Sequence, residues 1–177
     1  MRYALITIGV IVALVLIVVV VGWTLPVRHR ASVARTYNAS PSTVFSLITD
    51  VQSFPSWRKE VTRVELLADA DGHTRWREVT GNGPPITFVV DRSIPDRLLV
   101  ARIADTNLAF GGTWTYELTP AGNGLGATTL RITEDGEVYN PLFRFVSRFV
   151  MGHEATIKQY QSAVGTRLAE VPDAAPR

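Results

Sequence analysis

Residues 140–168, "NPLFRFVSRFVMGHEATIKQYQSAVGTRL", decide the fold. Asn140 is a good helix cap, and Pro141 suits the first helical position, where its missing N–H would have had no partner anyway. Behind them Leu142, Val146, Phe149, Val150, His153, Ile157, Tyr160, Val164 and Leu168 recur at steps of three and four, the spacing of one helical face. Arg144, Arg148, Glu154, Lys158 and Arg167 lie mostly off that stripe, and Glu154 with Lys158 forms a favourable i, i+4 pair. The pattern predicts one long C-terminal helix with a continuous apolar stripe that a sheet must cover.

The sheet is legible upstream. Extended segments with period-two patterning fall at about 61–68, 73–80, 86–94, 97–104, 112–119 and 126–134. Turn signals separate them: "DADG" at 69–72, "GNGPP" at 81–85, "IPDR" at 94–97 and "PAGNGLG" at 120–126. Connections this short imply an antiparallel meander. Ahead of it, "SVARTY" at 32–37 alternates as a strand, and Ser40 followed by Pro41 starts a helix that runs to about Asp50. Phe54, Pro55 and Trp57 come next, where polar loop residues would be expected. They predict a second short helix packed over one end of the unit beside the C-terminal helix, either as a lid on a cavity or as a plug of the core.

Residues 4–23, "ALITIGVIVALVLIVVVVGW", are uncharged throughout, and a helix of that length spans the roughly 30 Å hydrocarbon core of a bilayer. Arg2 and Tyr3 at one end, and Trp23, Arg28 and Arg30 at the other, suit its interfaces. A cleaved signal peptide is the competing reading, with small residues in "ASVA" at 31–34. The run is longer than an h-region of about 7–15 residues, and Arg28 and Arg30 stand between it and that site, which favours an anchor. The excess of Arg28, Arg30 and Arg35 over Arg2 and the amino terminus places the C-terminal domain on the cytoplasmic side. The organisation expected is an anchor and linker at 1–27, one domain at 28–171 and a disordered tail at 172–177.

Composition removes several chemistries. The 177 residues suffice for one domain with a sizeable core. There is no cysteine, so disulfides, thiolate catalysis and Cys-ligated metal sites are excluded. The formal charge is only +2 with dispersed Lys and Arg, which argues against a nucleic-acid partner. His29, His73 and His153 lack metal-site spacing, and "GNG" and "GNGLG" occupy hairpin turns instead of a strand-to-helix phosphate loop. No G-x-S-x-G elbow is present. No metal and no cofactor are expected.

A strand, a short helical segment, a meander and a long final helix describe an α+β domain whose sheet curls around that helix and leaves space beneath it. The order of elements resembles the START-like or SRPBCC superfamily, with the helix-grip fold of birch-pollen-type allergens. The phrases "ASPSTVFSLITDVQSFPSW", "GTWTYELTP" and "ITEDGEVYNPLFRFV" resemble its polyketide cyclase/dehydrase branch, over about residues 31–170. The resemblance implies a carrier of a lipid or other hydrophobic ligand more readily than an enzyme.

Strand parity supplies candidate lining residues. In "GTWTYEL" the set Trp114, Tyr116 and Leu118 faces inward, leaving Glu117 outside as a cross-strand partner for Arg131. By the same alternation Trp76 and Glu78, Phe88 and Val90, and Leu130, Ile132 and Glu134 share the concave side. With the short helix and the C-terminal stripe, the ligand-binding set is Trp57, Trp76, Glu78, Phe88, Trp114, Tyr116, Phe149 and His153. Glu78, Glu134, Tyr116 and His153 either orient a ligand's polar head or perform acid/base work, or Glu78 and Glu134 are hydrated strand-end carboxylates and His153 a satisfied core histidine. Three functions remain open at this point: a membrane-anchored carrier of a hydrophobic small molecule or lipid, a cyclase or dehydratase using Glu78, Tyr116 or His153, and an interaction module of the cell envelope with a filled core. Oligomeric state is not legible.

Overall fold

The computed structural model describes residues 2–81, 83–122 and 126–170. An apolar helix α1 (Arg2–Thr24) leads into β1 (Arg28–Tyr37), then α2 (Pro41–Thr49), a 3-10 turn at Val51–Ser53 and the one-turn α3 (Phe54–Trp57). Six strands follow: β2 (Val61–Ala70), β3 (His73–Thr80), β4 (Ile86–Ile94), β5 (Leu98–Ile103), β6 (Phe110–Ala121) and β7 (Ala127–Val138). The chain then forms α4 (Pro141–Val146), a π turn (Ser147–Met151) and α5 (Ala155–Glu170). The expected tail at 172–177 lies outside the described residues.

The seven strands make one antiparallel sheet in the order β1-β7-β6-β5-β4-β3-β2. Short turns build the meander from β2 to β7, and β1 then pairs with the last strand, from Arg28 opposite Glu137 to Tyr37 opposite Thr128. The sheet bends where the backbone allows it. Gly112 has φ +136 and faces Gly136 across β6 and β7, and a Cβ on Gly112 would come 2.5 Å from the Asp135 carbonyl oxygen. Register shifts in β2 against β3 and in β4 against β5 add twist.

The core lies between the concave face and the helices. Ser40 caps α2 by accepting from the Thr43 N–H at 3.1 Å, and the inner face of that helix buries Val44 and Ile48. These meet Leu118, Leu130 and Ile132 from the sheet and Ile157 and Val164 from α5. Burying each such aliphatic side chain contributes about 1.5–3 kcal/mol. Gln161 is the polar exception within α5; its amide donates to the carbonyls of Val33 and Leu130 at 3.0 and 3.1 Å, so the helix is fixed to β1 and β7. The curved sheet closed by helices is the α+β helix-grip arrangement that the element order predicts.

Two expectations are corrected. The C-terminal helix is not continuous: it stops at Gly152, whose φ of +75 takes the chain out of helical space, and α5 restarts at Ala155. The apolar stripe is therefore split. Ile157, Tyr160 and Val164 are buried in the domain, whereas Leu142, Phe149 and Val150 are exposed. The first strand also begins earlier than its alternation suggested, at Arg28, which puts His29 in the sheet instead of a linker.

Candidate functional site

A cavity of about 540 Å³ lies between the concave face of the sheet, α3, α4 and α5. That volume is in the range of small-molecule sites. Its walls are largely apolar, with Ile48, Phe54, Phe88, Leu99, Ile103 and Val146 among them.

At one end Arg58, the residue that ends α3, reaches inward. Its Nη1 donates to Glu78 Oε1 and its Nε to Glu60 Oε1, both at 3.0 Å. Trp76 Nε1 donates to the same Glu78 oxygen at 3.0 Å. The guanidinium lies over the rings of Phe54 and Tyr160, with its central carbon 4.9 and 5.1 Å from their centroids. Burial opposes the charged form of Arg58, but Glu78 beside it and the neighbouring phenols and Glu60 hold the cation above even the usual arginine range. Glu78 is therefore one half of a buried ion pair and not a hydrated strand end.

Tyr116 and Tyr160 sit beside this pair, their ring centroids 5.7 Å apart. Burial pushes both phenols well above the ordinary tyrosine range, so both stay protonated. Tyr160 Oη is buried, with the Tyr116 hydroxyl as a polar neighbour.

The other polar group lies next to α4. His29 from β1 and His153 from the turn before α5 stack with ring centroids 4.0 Å apart and planes 16° from parallel. His29 Nε2 stands 3.7 Å from Glu134 Oε1. Burial lowers the His29 pKa, and the second imidazole lowers it further; for His153 burial and then Arg148 act the same way. Burial raises the Glu134 carboxyl, with a partial offset from the Trp114 indole N–H. The three groups make a site where imidazoles stay neutral and a carboxyl holds its proton more tightly than usual.

Of the eight candidates read from sequence, Trp76, Glu78, Phe88, Trp114, Tyr116 and His153 line the cavity. Trp57 does not. It is buried behind the wall, edge-on to Phe54 at 5.3 Å and to Tyr160 at 5.7 Å, with its indole donating to Ser53 Oγ at 3.2 Å. Phe54 of the same turn forms the wall itself. Phe149 is also outside, because the π turn directs it away from the sheet; it is 60 % exposed and packs on Phe145. Glu117 and Arg131 are cross-strand neighbours on the outer face, as parity required.

Sequence reasoning missed three participants. Arg58 is hidden in the polar run "RKE", although an inward Glu78 called for a buried cation. His29 was masked by the late strand start, so His153 looked solitary. Tyr160 was visible only as one more apolar position on the helix stripe. Among the described residues no group of three or more His, Cys, Asp or Glu could hold a metal ion.

The fold has counterparts among solved structures. A START superfamily protein from Mycobacterium smegmatis superposes with a TM-score of 0.66 at 18 % identity, covering 81 % of this chain and 99 % of its own. The Zhui aromatase/cyclase from a Streptomyces species gives 0.65 at 16 %, covering 85 % and 99 %. Norcoclaurine synthase from Thalictrum flavum, in complex with dopamine and hydroxybenzaldehyde, gives 0.63 at 11 %, covering 83 % and 90 %. Identities this low establish a shared fold and no more. No curated protein matches the chain. The family described as polyketide cyclase / dehydrase and lipid transport matches residues 28–171, the whole sheet-and-helix domain, and the chain belongs to that family.

Proposed function

We propose that the protein is a membrane-anchored binding protein that holds a hydrophobic small molecule or lipid in the cavity beneath its sheet. The observation that carries this reading is a cavity of about 540 Å³ with largely apolar walls, closed at one end by the buried polar group of Arg58, Glu78, Tyr116 and Tyr160. Arg58 already faces two carboxylates, so the ligand group that suits this end is a neutral oxygen acceptor on an apolar body. The uncharged run 4–23 within α1 supports the anchor, and tethering keeps the site close to ligands that partition into lipid. The Arg excess beyond α1 supports a cytoplasmic domain.

The test is native mass spectrometry with solvent extraction of the full chain, released from vesicles, against a Thr156→Trp variant. Thr156 lines the cavity from an exposed position on α5, so the indole occupies ligand space without disturbing the core. A co-purifying species lost in the variant is expected. An apo mass in the parent chain after exposure to a lipid extract defeats the reading.

A second reading, a cyclase or dehydratase, draws on Glu134, His29 and His153, two kinds of titratable group in contact at the cavity wall. It requires Glu134→Gln to lower turnover of a polycarbonyl substrate by about 100-fold or more.

A further inference from the structure

We propose that α4 and the π turn after it form a second membrane-contacting surface, set into the interface of the bilayer that α1 crosses. The proposal rests on the anchoring role of α1 given above.

The last turns of α1 are not a free tether. Its first two-thirds are exposed along their whole length, but Val18, Val19 and Val21 are half-buried and Gly22 is buried, because α4 packs along them. Gly22 lies so close to the Pro141 carbonyl that a Cβ has no room. Arg144 clamps the junction, its Nη1 donating to the Leu25 carbonyl at 2.9 Å and its Nη2 to the Tyr139 carbonyl at 3.3 Å. The Val138 N–H donates to the Val27 carbonyl at 2.9 Å.

This packing sets a depth. The uncharged run ends at Trp23, and Val18 lies five residues before it, which is about 7 Å along a helix. An element packed against that stretch shares its level in the membrane and cannot remain in bulk water.

The exposed side chains agree. Outside α1, the large hydrophobic residues exposed among the described residues are Val27, Leu66, Tyr139, Leu142, Phe143, Phe149 and Val150. All but Leu66 belong to this junction and to α4 and its π turn. Such a patch on a water-facing surface would be an association site; beside a bilayer it is a lipid-facing one. Arg148 is exposed near it, and Arg28 and Arg30, although paired with Glu137 and Asp135, keep most of their side chains exposed, so cationic chains lie at headgroup level. Phe143 and Val146 on this element also line the cavity, so the proposed surface borders the route by which a ligand passes between lipid and protein.

The chain has no cysteine, so single cysteines can carry an environment-sensitive fluorophore without background. The full chain, labelled at Phe149→Cys, Val150→Cys, Ile11→Cys or Asp71→Cys, is reconstituted in vesicles with nitroxide lipids quenching near the headgroup or near the chain end. Position 11 reports the anchor and position 71, in the β2–β3 hairpin, reports water. Positions 149 and 150 are expected to be quenched by the shallow nitroxide about twofold or more above position 71, and position 11 by the deep one. Quenching at 149 and 150 equal to that at 71, with position 11 quenched, overturns this surface and leaves the anchor standing. Loss of quenching at position 11 overturns the anchor, and this proposal with it. A blue-shifted but unquenched probe at 149 that reverts on diluting the protein in lipid identifies a contact between copies, and also overturns it.

Discussion

Replacing Arg58 by Met is the sharpest test of the polar end of the cavity. The substitution keeps an unbranched apolar stem over Phe54 and Tyr160 and removes the cation from Glu78, whose side chain is only 5 % exposed. Glu78 is then left with the Trp76 indole as its remaining donor. Removing one partner of a buried pair costs about 3–5 kcal/mol, because the other charge stays buried without compensation. At about 3 °C per kcal/mol for a domain of this size, Tm falls by about 9–15 °C. Thermal unfolding followed by circular dichroism on the full chain in detergent reads the shift. The double variant Arg58→Met with Glu78→Leu removes both charges and is expected to recover most of the loss. A fall of less than about 3 °C in the single variant would place the pair with exposed salt bridges, which contribute about 0–1 kcal/mol, and would refute the view that water is kept from this end.

Two further outcomes follow from the same geometry. Tyr160→Phe deletes a buried hydroxyl beside that of Tyr116 and keeps the ring that lines the cavity, so the protein is expected to lose about 0.5–1.5 kcal/mol, read as a fall of a few degrees in Tm, and an unchanged Tm would show that the hydroxyl makes no protein contact. The stacked imidazoles predict a pH slope: both pKa values are lowered by burial, so their stabilising contribution is complete above the unfolded histidine pKa of about 6.5 and is lost as pH falls through the folded values. The raised carboxyl of Glu134, which contacts His29, acts oppositely at lower pH, stabilising below the ordinary carboxylate range and losing that contribution as pH rises through its folded value. Unfolding temperatures of the parent and of His153→Gln between pH 5 and 7.5 are expected to diverge toward the alkaline side, and parallel curves would show that the stack does not titrate.

The fold was readable wherever one local signal dominated. Ser40 and Pro41 mark α2 because capping depends on adjacent residues, and alternation marks the strands because each has one buried face. The cavity walls from β3, β4 and β6 followed from parity alone, which needs only the strand and not its neighbours. Arg58 did not follow, because its role depends on Glu78, twenty residues away and on another element. Its neighbours give no sign that it turns inward. His29 required the pairing of β1 with β7, a contact more than a hundred residues apart in sequence. Trp57 lies behind the wall and Phe54 in it because a single helical turn presents both to the core, and packing around Tyr160 decides which one reaches the cavity.

The misread of the C-terminal helix bears most directly on function. A straight helix from Pro141 to Leu168 has one axis and could not lay its first half on α1 and its second half on the sheet. The break at Gly152 separates the two tasks: α5 keeps Ile157, Tyr160 and Val164 in the core, and α4 turns to pack Pro141 and Arg144 against the end of α1. The stripe counted in the sequence is thus two stripes with different partners, one for the protein interior and one, on our proposal, for lipid. The positive φ at Gly152 disfavours any residue with a Cβ, so Gly152→Ala strains the backbone at the junction and not inside either helix. If α4 is held at the membrane surface, the cavity bordered by Phe143, Val146 and His153 lies where an apolar ligand of the kind proposed is most concentrated, and the polar groups proposed to orient it lie at the Arg58 end, along α5 from the break.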